Sequence, residues 1–293
     1  MYDLSKYANC LNFLLQSKTK DIPHSHSNFF NHCIGVFNIL RKWKQSEELC
    51  FAGMFHNIYG NKYFNPNLNI SREQIKNLIG EKAENIAYNF HHINRDTIIN
   101  TGDKEQIILM LANDFDQSKL FKVMDNIFDR KTCSEIHKYF CTQIKWEFGN
   151  NNITSISEKW TSDLKFKSDI EKLIFNHQEH VLKNTGLDYL YKLNRVYASA
   201  NQYGHYGEFH IDDGAKEYNE IITLMYYLNS EWDISWAGET SFLNENHDEI
   251  SRAIIPKPGR AVLFDGFIKH GSRPLNKTFI GARMVLTFKY KLI

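Results

Sequence analysis

Residues 282–290, "ARMVLTFKY", decide the reading of the fold. The run is rich in β-branched and aromatic residues, and a two-residue period puts Arg283, Val285 and Thr287 on one inward face, as in a strand lining a core. Working back along the chain, "LNRVYAS" (193–199), "EIITLMYYLN" (220–229), "GETSFL" (238–243) and "GRAVLFDG" (259–266) have the same texture and are separated by Gly, Pro and Asn. Many short strands at close spacing predict a closed or sandwiched β-domain such as a jelly roll. In "EIITLMYYLN" the alternation groups Thr223, Met225 and Tyr227.

The first half reads differently. "NFFNHCIGVFNILRKW" (28–43) carries an amphipathic stripe of Phe29, Cys33, Val36, Leu40 and Trp43. "EELCFAGMFHNIYG" stops at Gly60, and "SREQIKNLIG" opens on Ser71 and Gln74 at capping-box spacing. "EKAENIAYNFHHI" and "DKEQIILMLANDF" continue as helices, and no strand is expected before about residue 150. The Asn-rich stretch "FGNNNITSIS" (148–157) is the expected linker, which gives a helical domain over 1–150 and a β-domain over 151–293. One or two helices are expected within residues 157–184.

A chain of 293 residues accommodates two such domains. A net charge of +1 argues against a broad nucleic-acid footprint. No leader pattern or bilayer-length apolar run is present, so no membrane partner is expected. The five cysteines form no CxxC pair, so the expectation is a reduced, cytoplasmic protein.

The chemistry begins at "GEFHIDDG" (207–214). On a strand, His210 and Asp212 point the same way. One distant histidine, His270 in "FDGFIKHGSRP", would complete two imidazoles and a carboxylate, the facial set that suits non-haem Fe(II). An isolated HxD is more often structural. Here the surroundings add weight. From Tyr197 to Tyr290 the chain resembles the Fe(II)/2-oxoglutarate-dependent dioxygenases of the prolyl-4-hydroxylase-like branch, carrying in order "YGHYGEFHIDD", "ITLMYYLN", "WAGETSF", "IIPKPGRAVLFDG", "KHGSRP" and "ARMVLTFKY".

The resemblance implies a double-stranded β-helix (jelly roll) with flanking helices. It implies Fe(II) and 2-oxoglutarate as cofactors, and O2 consumed in hydroxylating a small molecule or an amino-acid or peptide side chain, with release of succinate and CO2. His210, Asp212 and His270 match the catalytic iron ligands. Arg283 and Tyr227 match the residues at the distal carboxylate of 2-oxoglutarate, and an arginine fork suits that task. A carboxylate at Asp212, where a halogenating subgroup has a small residue, favours hydroxylation. Ala237 stands where the family often has glycine, and Tyr197, Tyr203 and Tyr206 receive no role. His205 and His247 are expected in loops, and Trp232 and Trp236 either at the substrate mouth or in loop packing.

The helical half resembles, more weakly, the HD superfamily of metal-dependent phosphohydrolases, in an HD-related group of unknown function. His32, His56 and Asp114 are the candidate second metal site. Asn57 replaces the bridging aspartate of that family, which argues against a two-metal hydrolytic centre. The alternative for these residues is a hydrogen-bonded polar cluster. Two other functions stay open at this point: a non-catalytic 2-oxoglutarate and metal sensor, and a phosphohydrolase with an accessory barrel.

Overall fold

A computed structural model describes residues 3–24, 27–117, 119–149, 159–205 and 207–293. Most of the expected linker, residues 150–157, and Tyr206 lie outside the described residues. Contacts divide the chain into two compact units. One comprises 1–119 with 182–190, the other 120–181 with 191–293, so the division falls upstream of the expected boundary at 150.

The first unit contains helices α1 (Leu4–Gln16), α2 (Phe29–Lys42), α3 (Glu47–Phe55), α4 (Arg72–Ile79), α5 (Glu81–His91), α6 (Ile98–Thr101) and α7 (Lys104–Gln117). Local chemistry starts several of them. The Asp3 side chain accepts from the Ser5 and Lys6 amides, Asn28 from Asn31, and Ser46 from Leu49. Ser71 and Gln74 form the expected capping box. Helix α3 is buried from Leu49 to Phe55 and is the centre of the unit. The short strands β1 (Pro23–His24) and β2 (Ser27–Asn28) pair antiparallel ahead of α2.

The second unit contains β3 (Phe121–Met124), α8 (Arg130–Thr142), β4 (Glu147–Phe148), β5 (Trp160–Ser162), α9 (Asp169–Thr185), β6 (Tyr191–Asn201), β7 (Ile221–Tyr227), β8 (Thr240–Leu243), β9 (Ile250–Ile254), β10 (Ala261–Asp265), β11 (His270–Ser272) and β12 (Arg283–Leu292). The last turn of α9 is counted with the first unit. Here the expectation of a strand-free first half is corrected. Phe121–Met124 adds to the edge of β10 and Glu147–Phe148 pairs with β5, because short extended segments satisfy their backbone groups on an open sheet edge.

The large sheet is seven-stranded and antiparallel in the order β3-β10-β7-β12-β6-β5-β4, and a three-stranded sheet runs β11-β8-β9. The two meet through Phe242 of β8, whose ring lies 5.0 Å from Phe264 and 4.8 Å from Phe121. Met225, Tyr227, Val262, Ile268 and Val285 complete this core. Strand β7 is buried at every residue because its other face is covered too. There the Tyr226 hydroxyl meets His177 Nδ1 of α9 at 2.9 Å, and Tyr290 donates to Gln178. The result is a mixed α+β chain whose inward residues of β6, β7 and β12 line one cavity.

Candidate active site

The cavity, about 270 Å3, opens among β5, β6, β7, β8, β11 and β12. At its wall the segment carrying His210 runs antiparallel to β11. The His210 amide donates to the His270 carbonyl at 2.9 Å, and the His270 amide returns the bond at 2.9 Å. This bridge brings together two histidines far apart in sequence, with ring centroids 4.6 Å apart. Asp212 joins them, its Oδ1 lying 3.8 Å from His270 Nε2. One donor atom from each of the three lies within 4.8 Å of the others, the one such group of three among the described residues.

Hydrogen bonding fixes what these atoms offer. His210 Nδ1 is 2.8 Å from the Glu208 carbonyl and His270 Nδ1 is 2.8 Å from the Ile268 carbonyl. A carbonyl only accepts, so both Nδ1 atoms carry a proton, and in the neutral ring it is Nε2 that keeps the lone pair. Burial pushes His270 down to about 4 against the pull of Asp212, so its imidazole is neutral at physiological pH. Burial acts to raise the Asp212 carboxyl, but His270, Lys289 and Thr223 outweigh it and hold the group below its ordinary value. Thr223 Oγ1 donates to Asp212 Oδ2 at 2.5 Å, and Lys289 Nζ lies 2.6 Å from Oδ1. Gly266 makes room for this carboxylate, since a Cβ there would stand 2.9 Å from Oδ2. Two imidazole Nε2 atoms and one ionised carboxylate are a donor set that fits a divalent iron with positions left over.

Deeper in the barrel Arg283 is 2% exposed. Its Nε donates to the Gly238 carbonyl at 2.7 Å and its Nη2 to Thr240 Oγ1 at 2.7 Å, and the guanidinium sits 5.3 Å from the Tyr227 ring centroid. No carboxylate pairs with it among the described residues. The Tyr227 hydroxyl contacts Thr240 Oγ1 at 2.8 Å and donates to the Ile254 carbonyl at 3.1 Å. Tyr227 therefore reaches Arg283 through Thr240, a residue that sequence reasoning passed over. Thr240 begins β8, where alternation alone does not distinguish a site residue from a core one. Lys289 was missed as well, although it continues the inward series of Arg283, Val285 and Thr287.

Trp232 and Trp236 pack against Phe279 with tilted rings at centroid distances of 4.9 and 4.7 Å, and neither is among the residues lining the cavity. His205 packs on Phe148, and His247 is exposed. Ala237 holds φ +57°, a conformation that glycine adopts without strain.

The candidate second site takes a different form from the expected one. His32 and His56 do meet, Nε2 to Nε2, at 3.2 Å. Asp114 does not join them and pairs with Arg95 instead. The reason is helical phase. On α7, Asn113 and Asp116, three apart, turn toward the histidines, while Asp114 is rotated off that face. Asn113 Oδ1 lies 3.0 Å from His56 Nε2, and Asp116 Oδ2 lies 2.6 Å from His32 Nδ1. Gly35 admits this carboxylate, since a Cβ there would overlap it. Burial pushes both His32 and His56 down to about 3 and the Asp116 carboxyl up to about 6. His56 Nδ1 must donate to the Gly53 carbonyl 2.6 Å away. One proton on Asp116 then lets Asp116 donate to His32 and His32 donate to His56, whose Nε2 has no proton left to offer Asn113 Oδ1.

Comparisons with known proteins follow the division of the chain. Residues 196–291 match the family model "2OG-Fe(II) oxygenase superfamily", and residues 13–95 match a domain of unknown function (DUF6817), with no HD family matched. No curated protein matches. A Pseudomonas putida prolyl-4-hydroxylase is 15% identical, with 61% of this chain and 95% of that one covered and a TM-score of 0.46. A Trichoplax adhaerens prolyl hydroxylase, solved with a hypoxia inducible factor peptide fragment, is 15% identical over 67% of this chain and 94% of its own, with a TM-score of 0.49. HygX from Streptomyces hygroscopicus, solved with nickel, 2-oxoglutarate and hygromycin B, is 12% identical over 60% and 84%, with a TM-score of 0.43.

Proposed function

We propose, for a chain whose C-terminal part is a 2OG-Fe(II) oxygenase domain using Fe(II) and 2-oxoglutarate, that the reaction is hydroxylation of a C–H bond in a small molecule or amino-acid side chain. The balance is RH + 2-oxoglutarate + O2 giving ROH + succinate + CO2. His210, Asp212 and His270 hold the metal, and Arg283, with Thr240 and Tyr227 behind it, takes the distal carboxylate of 2-oxoglutarate. The observation that carries this reading is the pair of Nε2 lone pairs turned toward one buried carboxylate, each set by an Nδ1–H bond to a backbone carbonyl.

Bound iron supplies the oxygen chemistry. The protein's part is to orient and to exclude water. Thr223 and Lys289 hold the Asp212 carboxylate ionised and fixed in direction. Met225, Phe264 and Val285 give the cavity an apolar wall beside the metal-holding residues. Arg283 places a desolvated charge where a carboxylate can answer it.

The row of Asp116, His32 and His56 in the helical unit supports a structural role, closed by a proton. Iron-loaded protein should contain about one metal per chain and convert 2-oxoglutarate to succinate, with O2 consumed. His210→Ala and His270→Ala should abolish both metal binding and turnover, while His56→Ala should leave the metal content unchanged. 2-Oxoglutarate binding without any O2 consumption would favour a sensor and end the hydroxylase reading. Phosphatase activity lost in His56→Ala would move the chemistry to the helical unit.

A further inference from the structure

The cavity has a second cationic pole, of which only Lys289 is engaged at the metal-holding residues, through Asp212. Lys159, just before β5, Arg195 on β6 and Lys289 on β12 surround the ring of Tyr197. Their charged ends lie 6.0, 4.7 and 5.8 Å from its centroid. Lys289 answers Asp212, but neither Lys159 nor Arg195 has an ion-pair partner among the described residues. Lys159 is partly buried. Desolvation, followed by repulsion from Lys289 and Arg195, outweighs the attraction of Asp212 and Asp213 and holds its ammonium below the ordinary lysine value.

The carboxylates facing this pole are Asp212, Asp213 and Glu208. Of the four cations lining the cavity, Lys289 answers Asp212 and Arg283 is assigned to 2-oxoglutarate, which leaves Lys159 and Arg195 to meet a further anion. In the β6–β12 register Arg283 faces Asn201 and Lys289 faces Arg195, six positions further on. At about 3.3 Å per residue the backbone positions of Arg283 and Lys289 stand about 20 Å apart, so Arg195 belongs to the opposite end of the strand pair from the arginine assigned to 2-oxoglutarate.

We infer that the primary substrate is a small molecule bearing an oxyanion, a carboxylate or a phosphate, which Lys159 and Arg195 bind beside Tyr197 while the reacting C–H faces His210, Asp212 and His270. The inference rests on the oxygenase reading and narrows its substrate class. Size agrees with a small molecule: a cavity of about 270 Å3 that must also admit 2-oxoglutarate lies just below the usual range of ligand sites, roughly 300–1,000 Å3. Tyr197 supplies a flat apolar face to the carbon skeleton and a hydroxyl at its edge.

The test uses the full chain loaded with Ni(II), which does not turn over, and saturating 2-oxoglutarate. Inorganic phosphate and acetate are titrated calorimetrically against sodium chloride at equal ionic strength. At least one anion should bind, and the tighter of the two identifies the source of the oxyanion. In the Lys159→Gln/Arg195→Gln double variant its affinity should fall at least about tenfold, and Arg195→Lys should recover part of it. The 2-oxoglutarate affinity of the double variant should stay within about twofold of the native chain. Two results would overturn the inference: neither anion binding beyond chloride, or 2-oxoglutarate itself weakening about tenfold in the double variant, which would make the pole part of the co-substrate site. Failure of the underlying reading shows up separately, as a native Ni(II)-loaded chain that does not bind 2-oxoglutarate at all.

Discussion

Replacing Arg283 with methionine tests how the barrel holds its co-substrate. The guanidinium is 2% exposed and has only a carbonyl, a hydroxyl and an aromatic face around it. Burial lowers its proton affinity, and Tyr227 and the more distant Glu239 restore only part of it. A buried charge without a counter-charge costs several kcal/mol, which an incoming carboxylate recovers. Charge-assisted hydrogen bonds contribute about 1.5–3 kcal/mol each. For a carboxylate that also gains the counter-charge, a loss of about 2–4 kcal/mol is expected, or about 30–1,000-fold in Kd. Calorimetry on metal-loaded Arg283→Met should show this weakening. The same variant without 2-oxoglutarate should melt at or above the native temperature, because methionine removes an uncompensated charge at similar length. If 2-oxoglutarate bound within about threefold of native while the free protein lost stability, Arg283 would be a structural arginine and the assignment would fail.

Thr223→Val removes the hydroxyl that donates to Asp212 Oδ2, and Fe(II) affinity measured by competitive chelation should fall about 10–100-fold while the fold is kept. Phe264→Ala opens a hole beside Phe242 and His270, whose rings lie 5.0 and 4.7 Å away, and denaturant unfolding should show a loss of about 3–5 kcal/mol. In the helical unit the native state holds the Asp116 proton more tightly than the unfolded chain does, with a value of about 6 against an ordinary 3.8. Its stabilising contribution is therefore complete below about pH 4 and is lost as pH rises through about 6. Asp116→Asn mimics the protonated acid, so melts from pH 4 to 8 should show that loss removed. The gain at pH 7 should be about 1–3 kcal/mol, the lower end allowing for a side chain 21% exposed.

Much of the barrel was legible because its signals are local. Alternation in β7 and β12 placed Thr223, Met225, Arg283 and Val285 on the cavity face. Ser71 and Gln74 announced a helix start through side chains three residues apart. Strands β9 and β11 were passed over: the exposed Ile250–Ile254 has no apolar alternation, and His270–Ser272 is too short to carry a period. Strand β3 was read within helical territory because four residues give no period to count.

The site shows the same limit. His210, Asp212 and His270 suggested a facial set for iron, and the resemblance of the surrounding motifs to 2-oxoglutarate-dependent dioxygenases implied the oxygenase and the role of Arg283. Three features had no sequence signal. The choice of Asp116 and Asn113 over Asp114 depends on the rotation of α7 against α2 and α3. The link from Arg283 through Thr240 to Tyr227 depends on a side chain of the small sheet meeting two of the large one. The gathering of Lys159, Arg195 and Lys289 around one tyrosine depends on three strands meeting side by side. Periodicity and motif order reside in neighbouring residues, so the chain alone determined that a metal-binding β-domain follows a helical one. The charge balance of the cavity comes from side chains as much as 130 positions apart, Lys159 to Lys289, and only the pairing of strands decided it.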